Sequence, residues 1–367
     1  MKKISWIVPE CFIDVDVPVI SKLQQYYKIR LILVLPCDGI DNVRYVNSFL
    51  AGANNVEIHY LYKKYRGRSF RNVSFYNKII TDAKDFNPDI YYLSFMGRPY
   101  ALPLYALRLP RKKCIVPCHN VTTPKGASKE KIAEIYKNWW LRTFKNIQVF
   151  SKSQLDVLNS NFPGKNVFMS YLMIKDYGVP TINNARHNDI IKFLFFGNIV
   201  RYKRLDLLLA AVNILAERGL KGFKVIVAGH CRDWEEYSKM IKYPELIDCR
   251  IERIPNEEIP NIFASCQYMV LPYQDIAQSG AITVGFRYNL PTIVSNIEQF
   301  KEFVVDGETS LSFESQNASS LADIMQYAIE NHKVLYPTLC EKQRIFIAEH
   351  FSDEAIIKEY IKFFNKI

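Results

Sequence analysis

Short, continuously apolar runs alternate with longer amphipathic stretches along this chain, in two series separated by a polar segment. That pattern restricts the available folds more than any other feature. Runs at 4–8, 29–35, 56–62, 89–94, 114–118 and 147–150 form the first series, and runs at 191–196, 223–228, 250–254, 268–273 and 291–295 form the second. Each reads as a strand buried on both faces, because a strand with one wet face would alternate apolar and polar residues. Between the runs lie helical stretches such as 17–27 and 128–144. The clearest helix covers 205–218, with Leu207, Leu208, Ala211, Ile214 and Leu215 on one face. Alternating β and α with apolar strands predicts parallel sheets covered by helices on both sides. Two series predict two doubly wound, Rossmann-like α/β domains, 1–180 and 181–351. They join in the polar stretch 173–190, which carries Gly178 and Pro180 and no apolar period. A last helix, 352–364, opens on Ser352, Asp353 and Glu354 and has no strand to follow it.

With 367 residues and 49% hydrophobic content, each half can bury its own core. The net charge of +11 is unevenly placed: residues 1–180 hold 27 Lys+Arg against 13 Asp+Glu, a balance of +14, which leaves −3 for the rest. A basic half suits an anionic membrane surface, a phosphorylated substrate or nucleic acid. The eight cysteines are scattered with no CxxC spacing, so they read as reduced, packed thiols and not as a metal site. The N-terminus enters a strand almost at once, without a signal-peptide pattern, and no apolar run reaches the length of a membrane span. The expected location is cytoplasmic, with any membrane contact peripheral.

Parallel sheets bind ligands at the carboxyl ends of their strands, so the loops there are the candidate sites. After the run 191–196 come Gly197, Asn198, Ile199, Val200, Arg201, Tyr202, Lys203 and Arg204, then the strong helix. A glycine lets backbone approach a phosphate, helix-start amides attract it, and three cations add charge. The same loop also reads as an ordinary basic strand–helix connection. A second loop, after 268–273, ends in Gln278, Ser279 and Gly280 at a helix start, either an anion nest or a plain helix cap. Two anion-binding helix starts on one sheet suit a diphosphate.

The segments FGNIVRYKRLDLLLAA, KVIVAG, RIPNEEIPNIFASCQYMVLPY, QSGAITVGFRYNLPTIVSN and KEFVVDGETSLSF, spread over 193–313, resemble the C-terminal half of the retaining glycosyltransferases of GT-B architecture, group 1, family 4 type. The resemblance implies two domains facing across a cleft and sugar transfer from a nucleoside-diphosphate-sugar with retention. It implies no metal and no cofactor beyond that substrate. It places Lys203 on the family's diphosphate-gripping lysine and Glu302 on a donor-side acidic position. Asn198 stands where an arginine is usual, so Arg201 or Arg204 is expected to replace that charge. Ile276 and Val284 stand where many members carry two glutamates.

In the first half, His119-Asn120-Val121-Thr122-Thr123-Pro124 follows the run 114–118 and resembles the histidine loop that related enzymes place beside the reacting sugar. His119 is therefore the expected catalytic partner of Lys203, with Asn120 beside it. Asp14 and Asp16 have the Asp-x-Asp spacing of a metal site, but capping the helix after the first strand explains them as well, and an acceptor-side role stays open. Basic stretches at 63–71 and 108–113 are mixed with aromatic and apolar residues; they read as a solvated face or as contacts to an anionic lipid surface. The resemblance favours lipid, since this half receives the acceptor in such enzymes.

The expected function is a metal-independent hexosyltransferase acting on a saccharide or lipid-linked acceptor in cell-surface polysaccharide or lipopolysaccharide assembly. The terminal helix is expected to pack back on the first domain. The alternatives are an inactive glycosyltransferase-like subunit and a nucleic-acid-binding protein. A dinucleotide-dependent enzyme would need GxGxxG after the first strand, where PECFIDVD stands.

Overall fold

A computed structural model describes residues 1–37, 39–65, 69, 71–94, 100–122, 130–181, 190–276 and 279–367. In chain order the elements are β1 (Lys3–Pro9), α1 (Ile13–Leu23), β2 (Lys28–Pro36), α2 (Ile40–Phe49), β3 (Val56–Lys63), α3 (Asn72–Asp85), β4 (Ile90–Leu93), α4 (Ala101–Arg108), β5 (Cys114–Pro117), α5 (Glu130–Thr143), β6 (Asn146–Val149), α6 (Lys152–Asn161) and β7 (Asn166–Met169). There follow β8 (Ile191–Phe196), α7 (Leu205–Glu217), β9 (Phe223–Ala228), α8 (Trp234–Ser238), β10 (Ile247–Arg250), α9 (Ile259–Ala264), β11 (Tyr268–Leu271), α10 (Gly280–Arg287), β12 (Thr292–Ser295), β13 (Ser310–Phe313), α11 (Ala318–Glu330), α12 (His332–His350) and α13 (Asp353–Phe364). The described residues form two compact units, one ending its main body at Met173 and adding Asp353–Ile367, the other covering Ile174–Ser352.

The first unit is a parallel sheet in the order β3-β2-β1-β4-β5-β6-β7. Successive residues of β1 point to opposite faces, and both faces are dry. Ile4, Trp6 and Val8 pack with Val17, Ile20 and Leu31 under α1 and α13. Ile7 packs on the other face with Ile79, Tyr105 and Trp140. The terminal helix completes the first of these cores. Phe364 and Tyr360 lie 6.2 and 6.3 Å from the Trp6 ring, and Phe168 stacks on Phe363. Each such aromatic buried contributes on the order of 1.5–3 kcal/mol. Buried Gln148 ties α13 to the sheet: its amide donates to the Tyr360 hydroxyl at 2.7 Å and to Ser170 at 2.9 Å, and it accepts from Tyr92. At its start α13 is held by Asp353, 2.8 Å from Lys22.

The second unit is a parallel sheet in the order β10-β9-β8-β11-β12-β13. Its apolar helix α7 begins with Asp206 in the first turn, where the helix dipole favours an anion, and buries Leu205, Leu208, Ala211 and Leu215. Asn317 caps α11 by accepting from the Ser320 amide at 3.0 Å.

Local differences from the sequence reading have identifiable causes. Helix α1 starts at Ile13, not 17, so Asp14 and Asp16 lie inside its first turn and neither caps it; the residue before the helix is Phe12. Pro18 sits within the helix. The run 250–254 is not a strand: β10 covers Ile247–Arg250, an edge strand paired only with β9, and an edge needs little apolar content. The short edge strands β7 and β13 escaped notice for the same reason. Cys114, Cys118 and Cys266 are buried, whereas Cys11, Cys37 and Cys249 are exposed, and no disulfide forms. Burial pushes the Cys114 thiol up to about 12.

Candidate functional site

In each sheet the strand order reverses beside the first strand, between β1 and β4 and between β8 and β11, and ligands of doubly wound sheets bind at that reversal. The two loops singled out in the second half leave β8 and β11, on either side of its reversal.

The β8 loop is shaped by two glycines. Gly197 has φ +101°, and the space where its side chain would stand is filled by the Lys203 ammonium, 3.1 Å from an ideal Cβ. Gly229, at φ +149° after β9, passes so close that a Cβ there would be 2.1 Å from the Gly197 carbonyl oxygen. The loop is fastened to that neighbour by Gly197 N–H donating to Ala228 and Ile199 N–H donating to His230, both at 2.9 Å. A tight turn over Arg201–Lys203 follows, and Arg204, at φ +52°, hands the chain to α7.

This turn separates the three cations. Lys203 points inward, only 9% exposed, with its ammonium 5.5 Å from the centre of the Tyr273 ring. No carboxylate pairs with it among the described residues, and burial pushes its pKa down to about 8. Arg201 and Arg204 instead line a cleft of about 470 Å³ with Asp206, Glu236, Tyr237 and Gln274. Arg204 is held by Asp206 at 2.8 Å, while Arg201 reaches Glu236 at 3.5 Å with both side chains exposed. Asn198 is exposed.

At the second loop, the Ser279 hydroxyl caps α10, accepting from the Ile282 amide at 3.2 Å, and Gly280 is the first helical residue. Gln278 lies outside the described residues. Ile276 and Val284 are each 2% exposed and pack into the unit's interior. Glu302 is half-buried in the turn after β12. The sequence reading missed Tyr273, whose ring centre lies 5.5 Å from the Lys203 ammonium, and Lys175, whose ammonium stands 3.5 Å from the Cβ position of Gly280. An alternation pattern marks Tyr273 only as core, and the polar linker carrying Lys175 has no periodicity to place it.

In the first unit, His119 follows β5 and its ring lies flat between Phe12 at 4.2 Å and Phe150 at 4.4 Å, with interplanar angles of 10° and 12°. Both faces are covered, so only the ring edge can act on a ligand. Asn120 beside it is exposed. Asp16 is 2% exposed next to the Trp6 indole and the Ser94 hydroxyl, yet its Oδ2, Trp6 Nε1 and Ser94 Oγ all lack a well-aligned partner. Burial, reinforced weakly by Asp14, raises the Asp16 pKa to about 7. No cluster of three metal-ligating side chains occurs among the described residues.

Of the basic stretch 63–71, residues 66–68 and 70 lie outside the described residues. Arg108, Arg111, Lys112 and Lys113 are exposed, beside Leu107 at 83% exposure. No helix among the described residues is long and apolar enough to cross a membrane.

Residues 191–331 match the model of a family described as glycosyl transferases group 1. Solved structures similar over the full chain include Anabaena HepE in complex with UDP and glucose, at 14% identity, covering 100% of both chains with a TM-score of 0.73. Another is sucrose-phosphate synthase from Thermosynechococcus elongatus, at 12% identity, covering 100% of this chain and 99% of that one with a TM-score of 0.75. A third is WaaG, a glycosyltransferase involved in lipopolysaccharide biosynthesis, at 11% identity, covering 97% and 98% with a TM-score of 0.68. No curated protein sequence matches significantly. At these identities the likeness is one of fold: the chain has the GT-B fold of glycosyltransferases.

Proposed function

We propose that the protein is a glycosyltransferase that takes a sugar from a nucleoside-diphosphate-sugar and passes it, with retention, to a hydroxyl of a saccharide or lipid-linked acceptor, in cell-surface polysaccharide or lipopolysaccharide assembly. One observation carries the reading: Lys203, a buried lysine without a carboxylate partner among the described residues, stands against Gly197 and over the Tyr273 ring. A buried ammonium costs several kcal/mol unless an anion meets it. The departing diphosphate is such an anion, and its charge grows as the sugar–phosphate bond breaks. Lys203 and the amides at Ser279 and Gly280 would stabilise that charge, with Gly197 and Asn198 lining the approach. Arg201, the more loosely held arginine, would swing in more readily than Arg204. Glu302 is assigned to the donor side.

No metal is required on this reading, because lysine and helix-start amides supply the positive charge, and no cofactor enters besides the donor. His119 would act on the acceptor side through its ring edge, and Asn120, Asp14 and Asp16 are assigned to that side as well. The basic stretches 63–71 and 108–113 are assigned to an anionic membrane surface at the cytoplasmic face, and no nucleic acid is expected. HepE was solved with UDP and glucose, which supports a UDP-sugar as the first donor to test.

A thermal-shift screen of UDP, GDP, ADP and CMP tests the reading, since a ligand that binds only the folded state raises the melting temperature. A clear shift with one nucleoside diphosphate is expected; no shift with any of them refutes the donor site. A second reading, a glycosyltransferase-like subunit without turnover, draws on Ile276 and Val284, whose buried apolar side chains offer no hydrogen bond to a donor. Nucleotide binding without transfer to any acceptor would favour it.

A further inference from the structure

Helices normally cover both faces of a parallel sheet. In the second unit a cleft of about 620 Å³ lies between α9 and the strands β8, β9 and β10. The strand residues that line it share one face of the sheet: Lys192 on β8, Lys224 and Ile226 on β9, Asp248 and Arg250 on β10. Ile226 and Ile262 of α9, both buried, give it an apolar floor. Its size is that of a small-molecule site, about 300–1,000 Å³.

The two lysines of the cleft stand against the electrostatics of the sheet. Lys192 and Lys224 are register partners on adjacent parallel strands, so their backbones are about 4.8 Å apart and their side chains leave the same face. Like charges set directly opposite destabilise a strand pair. Neither ammonium has an ion pair or a side-chain hydrogen bond among the described residues. The carboxylates of the cleft do not relieve the pair. Asp248 is held by Arg250 at 3.1 Å, and Glu258, at the start of α9, forms no ion pair with either lysine. An anion seated between the ammoniums turns their repulsion into attraction on both sides. Glu258 can accept hydrogen bonds from hydroxyls of the same ligand, above the apolar floor.

The cleft is distinct from the proposed donor site. Lys192 lies four residues before Phe196, where the glycine loop leaves β8, a distance of about 13 Å along the strand. Lys224 likewise sits near the amino end of β9, whereas the donor loops leave the carboxyl ends of β8 and β11.

We propose that this cleft is a second ligand site, for a small phosphorylated sugar whose phosphate sits between Lys192 and Lys224 and whose hydroxyls bond to Glu258. The site uses no residue of the proposed donor site and stands or falls without it. Calorimetry with glucose 6-phosphate, inorganic phosphate and glucose tests it on wild type, Lys192→Gln, Lys224→Gln, the double variant, Glu258→Gln and Lys203→Met. Melting curves come first: the lysine variants should melt as wild type does or slightly higher, since each removes a repulsion.

Expected is binding of glucose 6-phosphate, weaker binding of inorganic phosphate and none of glucose. Each single lysine variant should lose about tenfold or more for both phosphates, the scale of one charge-assisted contact. The double variant should bind neither. Glu258→Gln should weaken glucose 6-phosphate alone, and Lys203→Met should change nothing. Wild type binding neither phosphate, or a double variant within twofold of wild type, would overturn the site. Loss of binding in Lys203→Met with the cleft variants unaffected would place the phosphate in the β8 loop and overturn it too. Inorganic phosphate binding as tightly as glucose 6-phosphate, with no effect of Glu258→Gln, would overturn the assignment to a sugar phosphate.

Discussion

The Lys203 ammonium occupies the space that a side chain on Gly197 would fill, 3.1 Å from its ideal Cβ. The glycine is thus required twice, for its φ of +101° and for the room it leaves the lysine. Burial holds Lys203 at about 8, so above that pH the unliganded protein carries it neutral. A bound diphosphate favours the charged form. Binding at pH 8.5–9 should therefore take up a proton, and affinity should fall with rising pH by at most about tenfold per unit, the limit for one proton. Calorimetry in two buffers of different ionisation enthalpy measures the uptake. Lys203→Ala should abolish it and weaken binding by about 1.5–3 kcal/mol. Uptake that persists in the variant would place the titrating group elsewhere.

Gly229 holds its neighbour in place. A methyl group there would stand 2.1 Å from the Gly197 carbonyl oxygen, a separation no packing tolerates, and φ of +149° disfavours any side chain. Gly229→Ala should shift the β8 loop away, lowering diphosphate affinity together with the stability of the second unit, by on the order of 1–3 kcal/mol in stability. Melting curves and nucleotide titrations on the same sample check it. An alanine variant with wild-type values for both would show that the loop can relax without consequence.

Asp16 makes stability fall with pH. Its folded pKa, raised to about 7 by burial, exceeds the unfolded value near 4, so between those limits the folded protein keeps a proton that the unfolded chain releases. Stability of the first unit should therefore decline from about pH 4 to 7, at up to about 1.4 kcal/mol per unit, with the full cost present above 7. Asp16→Asn should flatten that slope and raise stability at pH 8. Urea unfolding followed by tryptophan fluorescence reports mainly on this unit, which holds Trp6, Trp139 and Trp140, three of the four tryptophans. Parallel pH slopes for the two proteins would show that Asp16 stays ionised.

The exposed cations Arg108, Arg111, Lys112 and Lys113 flank Leu107, whose side chain is 83% exposed. About 1 kcal/mol per basic residue near an anionic surface makes this group sufficient for reversible attachment. Sedimentation with vesicles containing phosphatidylglycerol should show binding that weakens with salt, and replacing the four cations with Gln should abolish most of it. Equal sedimentation with neutral vesicles would make the patch ordinary solvated surface.

The parallel sheets were legible because strands buried on both faces leave continuous apolar runs, as in Ile29–Leu35 or Phe193–Phe196. Edge strands such as β7 and β10 leave no such run, since one side of each meets no other strand. At the candidate site, glycine and cation types identified the β8 loop, but not which cation turns inward. That choice depends on the turn over Arg201–Lys203, which sends Lys203 to the interior and both arginines to the outer cleft. Lys175 was invisible for a different reason: its place at α10 is made by tertiary contacts of a segment without periodicity.

His119 carries the last prediction. Its ring is clamped between Phe12 and Phe150, which fixes its plane. His119→Ala should lower turnover by on the order of 100-fold, the scale of losing a positioned donor in the transition state. Nucleotide affinity should barely change, because the proposed diphosphate ligands lie in the second unit. The alanine variant also opens a gap between two phenyl rings, so stability must be read separately. His119→Phe fills that gap without a ring nitrogen and supplies the control. If both variants melt as wild type and both lose turnover, the edge nitrogens act in the reaction. If His119→Phe restores turnover, the histidine serves only as a spacer between the rings and is not catalytic.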